Sequence, residues 1–157
     1  MTSLAHVSAL LAIMGVSVVY GTDVFCALVL RPALAQVDDS ALSTVMGAVH
    51  RYGDRRMPVP GAVGLVASAA ATVLAAIGDN VVAACAAGVA LALLVVWMVL
   101  YVRASAPINR AFTAAADARV IPTNARALQA GWDRIITLRS TLQGLAVLAL
   151  GVSLLVG

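Results

Sequence analysis

Residues 21–34, GTDVFCALVLRPAL, place one aspartate, Asp23, inside an apolar run that ends at Arg31 and Pro32. The run begins near Leu4, so residues 4–30 are long enough for a membrane-crossing helix, which needs about 20 mostly apolar residues. A carboxylate near the middle of such a helix costs ~2.5–3.5 kcal/mol on insertion scales, and it normally faces the bundle and has a partner. The stretch therefore predicts a membrane bundle in which Asp23 contacts another polar group.

The rest of the chain has the same character. Of its 157 residues, 62% are hydrophobic and 11% are charged, and the mean hydropathy is +1.01. A soluble domain is usually close to half apolar and a quarter charged. Three more segments, residues 59–78, 81–102 and 135–156, are apolar enough to span a membrane. We predict an all-α, membrane-embedded four-helix bundle that forms a single domain over residues 1–157 and has membrane lipids as partners.

The arginines indicate orientation. All ten basic residues are arginines, and they lie between the first and second spans, between the third and fourth, or at the edges of these loops. By the positive-inside rule both long loops are cytoplasmic, and both termini lie outside. The formal net charge of +3 is then a topology signal, and we expect no nucleic-acid partner. The alanine- and arginine-rich, lysine-free composition indicates a GC-rich bacterial genome, so with its four spans we expect a multi-pass protein of a bacterial inner membrane.

Both loops are predicted to be amphipathic. In the first, Asp38 begins a run of helix-capping residues, and a helix then follows along the cytoplasmic membrane surface. Four apolar residues at i, i+3, i+4 and i+7 give it one apolar face: Leu42, Val45, Met46 and Val49. In the second loop, Pro107 is predicted to break the third helix, a short helix follows to about Asp117, and Thr123 caps the last helix.

The last helix is predicted to carry a partner for Asp23. Spacings of four, three and four residues place one set on a common face: Leu128, Trp132, Ile135 and Arg139. Asp23 lies eight residues before Arg31, roughly 12 Å deeper by the helical rise, and Arg139 approaches from the same side. We predict an Asp23–Arg139 pair. It is either a clasp between helices or the charged wall of a pocket, unless Asp23 is simply protonated.

His50 and Asp54 form a second polar candidate. They lie four residues apart on one helix and can face one another. The pair is either a base with its orienting carboxylate or a solvated helix end. Two ligands are too few for a metal site, so we expect no metal. Trp97 and Tyr101 fit an interfacial anchor better than a ligand platform.

Small residues indicate how the helices pack. Gly15 and Gly21 are predicted to be packing positions, because small residues let membrane helices approach closely. Cys26 and Cys85 differ by roughly 20 Å in depth at ~1.5 Å per residue, while a disulfide needs Cα atoms within about 7 Å. We therefore expect two free, buried thiols.

Four stretches together resemble a known family. They are GTDVFCALVLRPAL, GDRRMPVPG before the second span, APINRAF after the third, and WDRIITLRSTLQGLAVLAL in the fourth. Over nearly the whole chain they resemble the anthrone oxygenase-like family of small four-helix membrane proteins. The most specific elements are the Pro-x-Asn of Pro107 and Asn109 and the last helix with Trp132 and Arg139. A looser match is given by Gly21, Phe25, Pro32 and Leu34.

The resemblance implies a cofactor-free oxygenase that converts an anthrone-like, apolar polycyclic substrate into a quinone. Asp23 or His50 would be the base, and Arg139 and Asn109 would stabilise the oxyanion. The implied substrate-binding residues are Trp132, Phe25, Pro107 and Asp54. Some family members have a histidine near the start of the last helix, where this chain has Ile135 and Ile136. The alternative is a non-enzymatic membrane subunit or a lipid-binding accessory protein, in a homo-oligomer or a larger membrane complex.

Overall fold

The structure, a computed structural model, describes residues 2–157, and every regular element in that range is helical. The α-helices are α1 (Thr2–Phe25), α2 (Arg31–Leu34), α3 (Asp39–Arg56), α4 (Pro58–Ile77), α5 (Val81–Leu100), α6 (Ala106–Ala118) and α7 (Ala125–Val156). Two π-helical turns, Cys26–Leu30 and Tyr101–Ser105, connect α1 to α2 and α5 to α6. The all-α prediction is confirmed.

Four continuous helical stretches of the described chain are long and apolar enough to cross a membrane: Ser3–Leu34, Pro58–Ile77, Val81–Ala118 and Ala125–Val156. They correspond to the four predicted spans and indicate a multi-pass membrane protein. The first and third are longer than the predicted spans, because they continue past their prolines, and the fourth begins at Ala125, close to the start predicted for the long last helix.

Pro107 does not break the third helix as predicted. The chain stays helical through the π turn Tyr101–Ser105, in which the Ala106 N–H donates to the Tyr101 carbonyl, five residues back. A proline ring removes one backbone donor and clashes with the carbonyl four residues before it. A single wider turn relieves this conflict, so Pro107 lies in the first turn of α6 and does not interrupt the helix.

The same device recurs at the end of the first helix. The Arg31 N–H donates to the Cys26 carbonyl across the π turn Cys26–Leu30, and Pro32 follows in the first turn of α2. Both π turns therefore lie just before a proline and at the same end of the bundle. We call this end, which carries α2, α3 and α6, the loop end.

The four long helices form a ring. α1 packs against α4 and α7, and α5 packs against the same two helices, while α3 packs mainly against α6. Far from the loop end the core is built of alanines such as Ala9, Ala71 and Ala87. At the loop end it contains bulkier side chains such as Met46, Phe112 and Trp132. Lipid gives no hydrophobic gain for packing, so small residues on facing helices allow the close contacts that hold such a bundle.

Helices α1 and α4 approach each other closely at Gly15. A Cβ added to Gly15 would lie 2.7 Å from the Pro60 carbonyl oxygen and 2.8 Å from the Gly64 nitrogen. Gly15 is confirmed as a packing position. Gly21 is exposed, and an added Cβ there would meet nothing within 4 Å. Gly21 lies six residues after Gly15, which is not a whole number of helical turns, so it faces away from α4. The prediction for Gly21 was wrong.

Helix α3 begins as predicted but packs differently. The Asp38 carboxylate accepts from the Ala41 N–H at 2.8 Å and caps the helix. Val45 and Val49, predicted on the apolar face, are 40% and 38% exposed. The buried face is instead Leu42, Ser43, Met46, Gly47 and His50. The face is rotated because α3 packs on α6, with Gly47 against the backbone of Phe112.

Two predictions about α7 and one about the cysteines need correction. Thr123 does not cap α7, which begins at Ala125 after Asn124. Ile135 is only half-buried, and the neighbouring Ile136 is fully buried, because the buried face of α7 advances by alternating three and four residues. Both cysteines are free, but only Cys26 is buried. Cys85 is exposed, since it lies off the buried alanine face of α5.

Candidate functional site

A cavity of about 320 Å³ opens at the loop end of the bundle. Its wall includes residues from α1, α3, α4, α5, α6, α7 and both π turns, and most of its surface is apolar. The volume lies at the low end of the range of roughly 300–1,000 Å³ typical of small-molecule sites. Thr22, Val49 and Ala62 line the cavity and are also exposed on the outside of the protein, so they form its rim.

A buried ion pair forms one wall. Arg139 Nη2 lies 2.9 Å from Asp23 Oδ2 and 3.1 Å from Oδ1, and both side chains are 6% exposed. Gln143 Nε2 donates to the same carboxylate at 2.9 Å, and Arg139 Nη1 donates to Ser105 Oγ at 2.8 Å. The predicted Asp23–Arg139 pair is confirmed. Removing charges from water is expensive, and the extra hydrogen bonds offset part of that cost.

Aromatic rings extend this wall. The Arg139 guanidinium lies 5.5 Å from the centre of the Tyr101 ring, and Tyr101 stacks on Trp97 with ring centres 6.4 Å apart. Trp97 is 6% exposed and lines the cavity, as Tyr101 does. These two residues therefore form part of the cavity wall. The Trp97 indole nitrogen lies close to Asp23 but makes no hydrogen bond of normal geometry with it.

Asp54 connects three elements at the cavity. Its Oδ1 accepts from the Tyr101 hydroxyl at 2.9 Å and from Asn109 Nδ2 at 2.8 Å. Asp54 lies on α3, Tyr101 in the second π turn and Asn109 on α6. One carboxylate oxygen therefore fixes the side chain of a cavity residue on each of two neighbouring elements.

His50 lies inside the protein. It is 4% exposed, and its ring centre lies 6.0 Å from that of Phe112 and 5.8 Å from that of Trp132. Burial lowers the pKa of His50 to about 4, while the negative charge of Asp54 opposes this shift and the positive charge of Arg139 adds to it. The imidazole is therefore neutral near pH 7, and the interpretation as a solvated helix end was wrong.

Several polar atoms of the cavity residues have no partner. Within residues 2–157, the following buried atoms make no hydrogen bond: His50 Nε2, Trp97 Nε1, Asn109 Oδ1, Trp132 Nε1 and Arg139 Nε. An unpaired buried polar group costs about 1–3 kcal/mol, and such groups are uncommon in folded proteins. Five at one cavity indicate a place where water or a ligand completes the hydrogen bonding.

Six of the eight predicted site residues meet at this cavity: Asp23, His50, Asp54, Asn109, Trp132 and Arg139. Phe25 and Pro107 do not line it, and both are exposed. Phe25 lies two positions after the cavity residue Asp23, and Pro107 lies two positions before the cavity residue Asn109. Two residues correspond to about 200° of rotation around a helix, so their side chains point to the opposite side. Their assignment to this site is corrected.

Three other residues of the site were not predicted from the sequence: Gln143, Tyr101 and Ser105. Gln143 follows Arg139 by four residues, and Tyr101 follows Trp97 by four, so helical spacing could have indicated both. Ser105 carries no such signal, because its contact with Arg139 depends on the π turn that precedes Pro107.

Within the described part of the chain, no three His, Cys, Asp or Glu side chains cluster closely enough to hold a metal ion. The polar groups of the cavity are instead arranged as one ion pair, one neutral imidazole and several hydrogen-bonding groups. Comparison of the chain with protein-family models, curated proteins and solved structures finds no match.

Proposed function

We propose that this protein is a cofactor-free oxygenase of the inner membrane that acts on an apolar, anthrone-like substrate, with its long loops in the cytoplasm. The observation that carries the proposal is the cavity itself, which is mostly apolar but has a buried ion pair and a neutral imidazole in its wall. An apolar body with a few convergent polar groups is the usual form of a small-molecule site. The sequence resemblance supports the same reaction.

The reaction needs only a base, an oxyanion site and molecular oxygen. An anthrone has an acidic CH₂ group opposite its carbonyl, and removal of one proton leaves an anion delocalised onto the carbonyl oxygen. Oxygen then forms a bond to that carbon and takes up the electrons as a peroxide. Loss of the second C–H proton with cleavage of the O–O bond leaves a new carbonyl and releases water. One O₂ is consumed for each quinone and each water formed.

The contacts favour His50 over Asp23 as the base. Both carboxylate oxygens of Asp23 already accept hydrogen bonds, from Arg139 and Gln143, whereas His50 Nε2 has no hydrogen-bond partner. His50 is neutral at pH 7, and a substrate anion beside it would favour its protonated form. Arg139 and Trp132 carry unpaired N–H groups, the type of group that stabilises a developing oxyanion in a water-poor site.

Oxygen uptake tests the proposal. Protein purified without air, treated with a chelator and free of flavin, should consume oxygen when an anthrone is added and form the quinone in equal amount. His50→Gln should lower the rate at least ~100-fold, since general-base catalysis typically contributes 10²–10⁴-fold. His6→Gln, near the opposite end of the first helix, is the control and should retain the rate. No uptake above background over several anthrones removes the enzyme proposal.

A second candidate function is a lipid-binding accessory protein or a subunit of a larger membrane complex. It is favoured by a shallow groove of about 480 Å³ on the outside of α1 and α4, lined by Leu11, Val63, Val66 and Ala70 among others. Such a groove fits a lipid chain or a partner helix. This candidate predicts co-purification with a larger complex, and Asp23→Asn would then damage assembly and not turnover.

A further inference from the structure

The hydrogen bond between Asp54 and Asn109 settles which end of the Asn109 amide is free. A carboxylate oxygen can only accept, so the group 2.8 Å from Asp54 Oδ1 must be the amide nitrogen of Asn109. The other end of the amide is then the oxygen, Oδ1. Asn109 is 4% exposed, and its Oδ1 has no hydrogen-bond partner in the described chain. Asn109 lines the cavity, so one residue of the wall carries a buried acceptor whose orientation is fixed by a hydrogen bond to a carboxylate.

This acceptor differs in kind from the unpaired N–H groups on α7. The unpaired atoms of Trp132 and Arg139 are both N–H donors, and they belong to α7, whereas Asn109 belongs to α6. A ligand whose polar edge carries only carbonyl oxygens can satisfy the donors but leaves Asn109 Oδ1 unpaired. A ligand that also carries a hydroxyl can satisfy both, because the hydroxyl donates to Asn109 while a neighbouring oxygen accepts from α7.

We propose that Asn109, oriented by Asp54, makes this cavity selective for ring ligands that present a free hydroxyl as a hydrogen-bond donor. The inference deepens the proposed function, on which it rests for the polycyclic ring system. It also changes the part expected of Asn109 from the sequence: Asn109 accepts a hydrogen bond from the ligand and does not stabilise the oxyanion. For an anthrone-like substrate, the contact favours a ring hydroxyl or the enol tautomer over the bare ketone.

A matched pair of stable quinones tests this selectivity apart from turnover. 2-Hydroxyanthraquinone and 2-methoxyanthraquinone share one ring system and are already oxidised, and only the first has a donor. The chain's two tryptophans, Trp97 and Trp132, both line the cavity, so quenching of their fluorescence reports binding in lipid nanodiscs. The titration is run at about pH 6 to keep the hydroxyl protonated.

The wild-type protein should bind the hydroxy compound at least about tenfold more tightly than the methoxy compound, since a buried acceptor left unpaired is costly. Asn109→Leu, of similar size but without an acceptor, should bind both compounds equally, with the methoxy affinity changed less than about threefold. Equal affinities in the wild type, a preference that survives in Asn109→Leu, or no binding of either compound would overturn the proposal.

The wild-type ratio decides the question even where Asn109→Leu does not fold. Asp54→Asn gives a second variant, because an amide at position 54 no longer fixes the Asn109 orientation, and the preference should fall. A clear preference together with no anthrone-dependent oxygen uptake would remove the oxygenase and leave the selectivity intact. Oxygen uptake without the preference would remove the selectivity and leave the oxygenase proposal intact.

Discussion

At the scale of single residues, the ion pair between Asp23 and Arg139 connects the first and last membrane helices. Both side chains are almost fully buried. Breaking a buried pair by removing one partner typically costs about 3–5 kcal/mol, because the other charge is left uncompensated. Removing both charges together leaves no such charge.

Asp23→Asn and Arg139→Gln are therefore expected to be strongly non-additive. Each single variant should lose about 3 kcal/mol or more of unfolding free energy, and the double variant should lose clearly less than the sum. The measurement is a double-mutant cycle by SDS unfolding in mixed micelles. Purely additive losses would show that the two side chains do not interact.

A second residue-scale prediction concerns pH and His50. The pKa of His50 in the folded protein is about 4, below its ordinary value of 6.5, so the unfolded chain binds a proton that the folded protein does not. The stability that the neutral imidazole provides is complete above pH 6.5 and is lost as the pH falls toward 4. Between pH 7.5 and 4.5 the wild type should lose roughly 2 kcal/mol more than His50→Gln. Equal losses in the two proteins would contradict the buried neutral imidazole.

The sequence could predict the ion pair but not the state of His50. Asp23 and Arg139 each lie on a long apolar helix, where depth and helical face follow from residue spacing. The burial of His50 depends on the contact between α3 and α6, two short helices whose apolar stripes are consistent with packing either on each other or on a membrane. Local spacing does not distinguish these cases.

At the scale of helices, the contact between α1 and α4 depends on a missing side chain. Gly15→Ala would place a Cβ 2.7 Å from the Pro60 carbonyl oxygen, which forces the two backbones apart. We expect a loss of about 1–3 kcal/mol, the usual cost of overpacking. Unfolding in mixed micelles measures it.

Gly21→Ala is the matched control on the same helix, since its added Cβ meets nothing within 4 Å. It should be neutral or gain up to about 1 kcal/mol from the higher helix propensity of alanine. Equal destabilisation by the two variants would show that the close approach at Gly15 does not determine stability.

The π turns are the element-scale feature that the sequence did not predict. A proline after an apolar run usually ends a helix, so the sequence predicts a break at Pro107. A π turn solves the same steric problem with no change in composition. It also brings Ser105 to Arg139, which is why one polar contact of the site had no signal in the sequence.

At the scale of the whole molecule, the arginine distribution predicts the loop end to be cytoplasmic. Asp79 lies in the short link between α4 and α5, and Thr123 in the link between α6 and α7. In a background without the native cysteines, Asp79→Cys should react with a membrane-impermeant maleimide in intact cells, and Thr123→Cys only after lysis. The opposite labelling pattern would show that the loop end lies outside the cytoplasm.

The cavity is likewise a property of the whole molecule. Asp23 and Arg139 could be chosen from the sequence because charges are rare in apolar helices. His50 and Asp54 could be chosen by their helical spacing, and Asn109 and Trp132 by the sequence resemblance. The shape of the cavity could not be predicted, because it depends on the two π turns and on α3 packing against α6. Gly53 lines the cavity, and a Cβ added there meets nothing within 4 Å. A large side chain at position 53 therefore has open space to occupy at the cavity.

Anthrone-dependent oxygen uptake by Gly53→Trp, compared with Gly21→Trp, tests the central claim most directly. Both glycines have open space where a side chain would begin, but only Gly53 lines the cavity. We predict that Gly53→Trp lowers uptake at least about tenfold, while Gly21→Trp stays within about twofold of the wild type. Equal uptake by the two variants, or none by the wild type, would contradict an oxygenase site in this cavity.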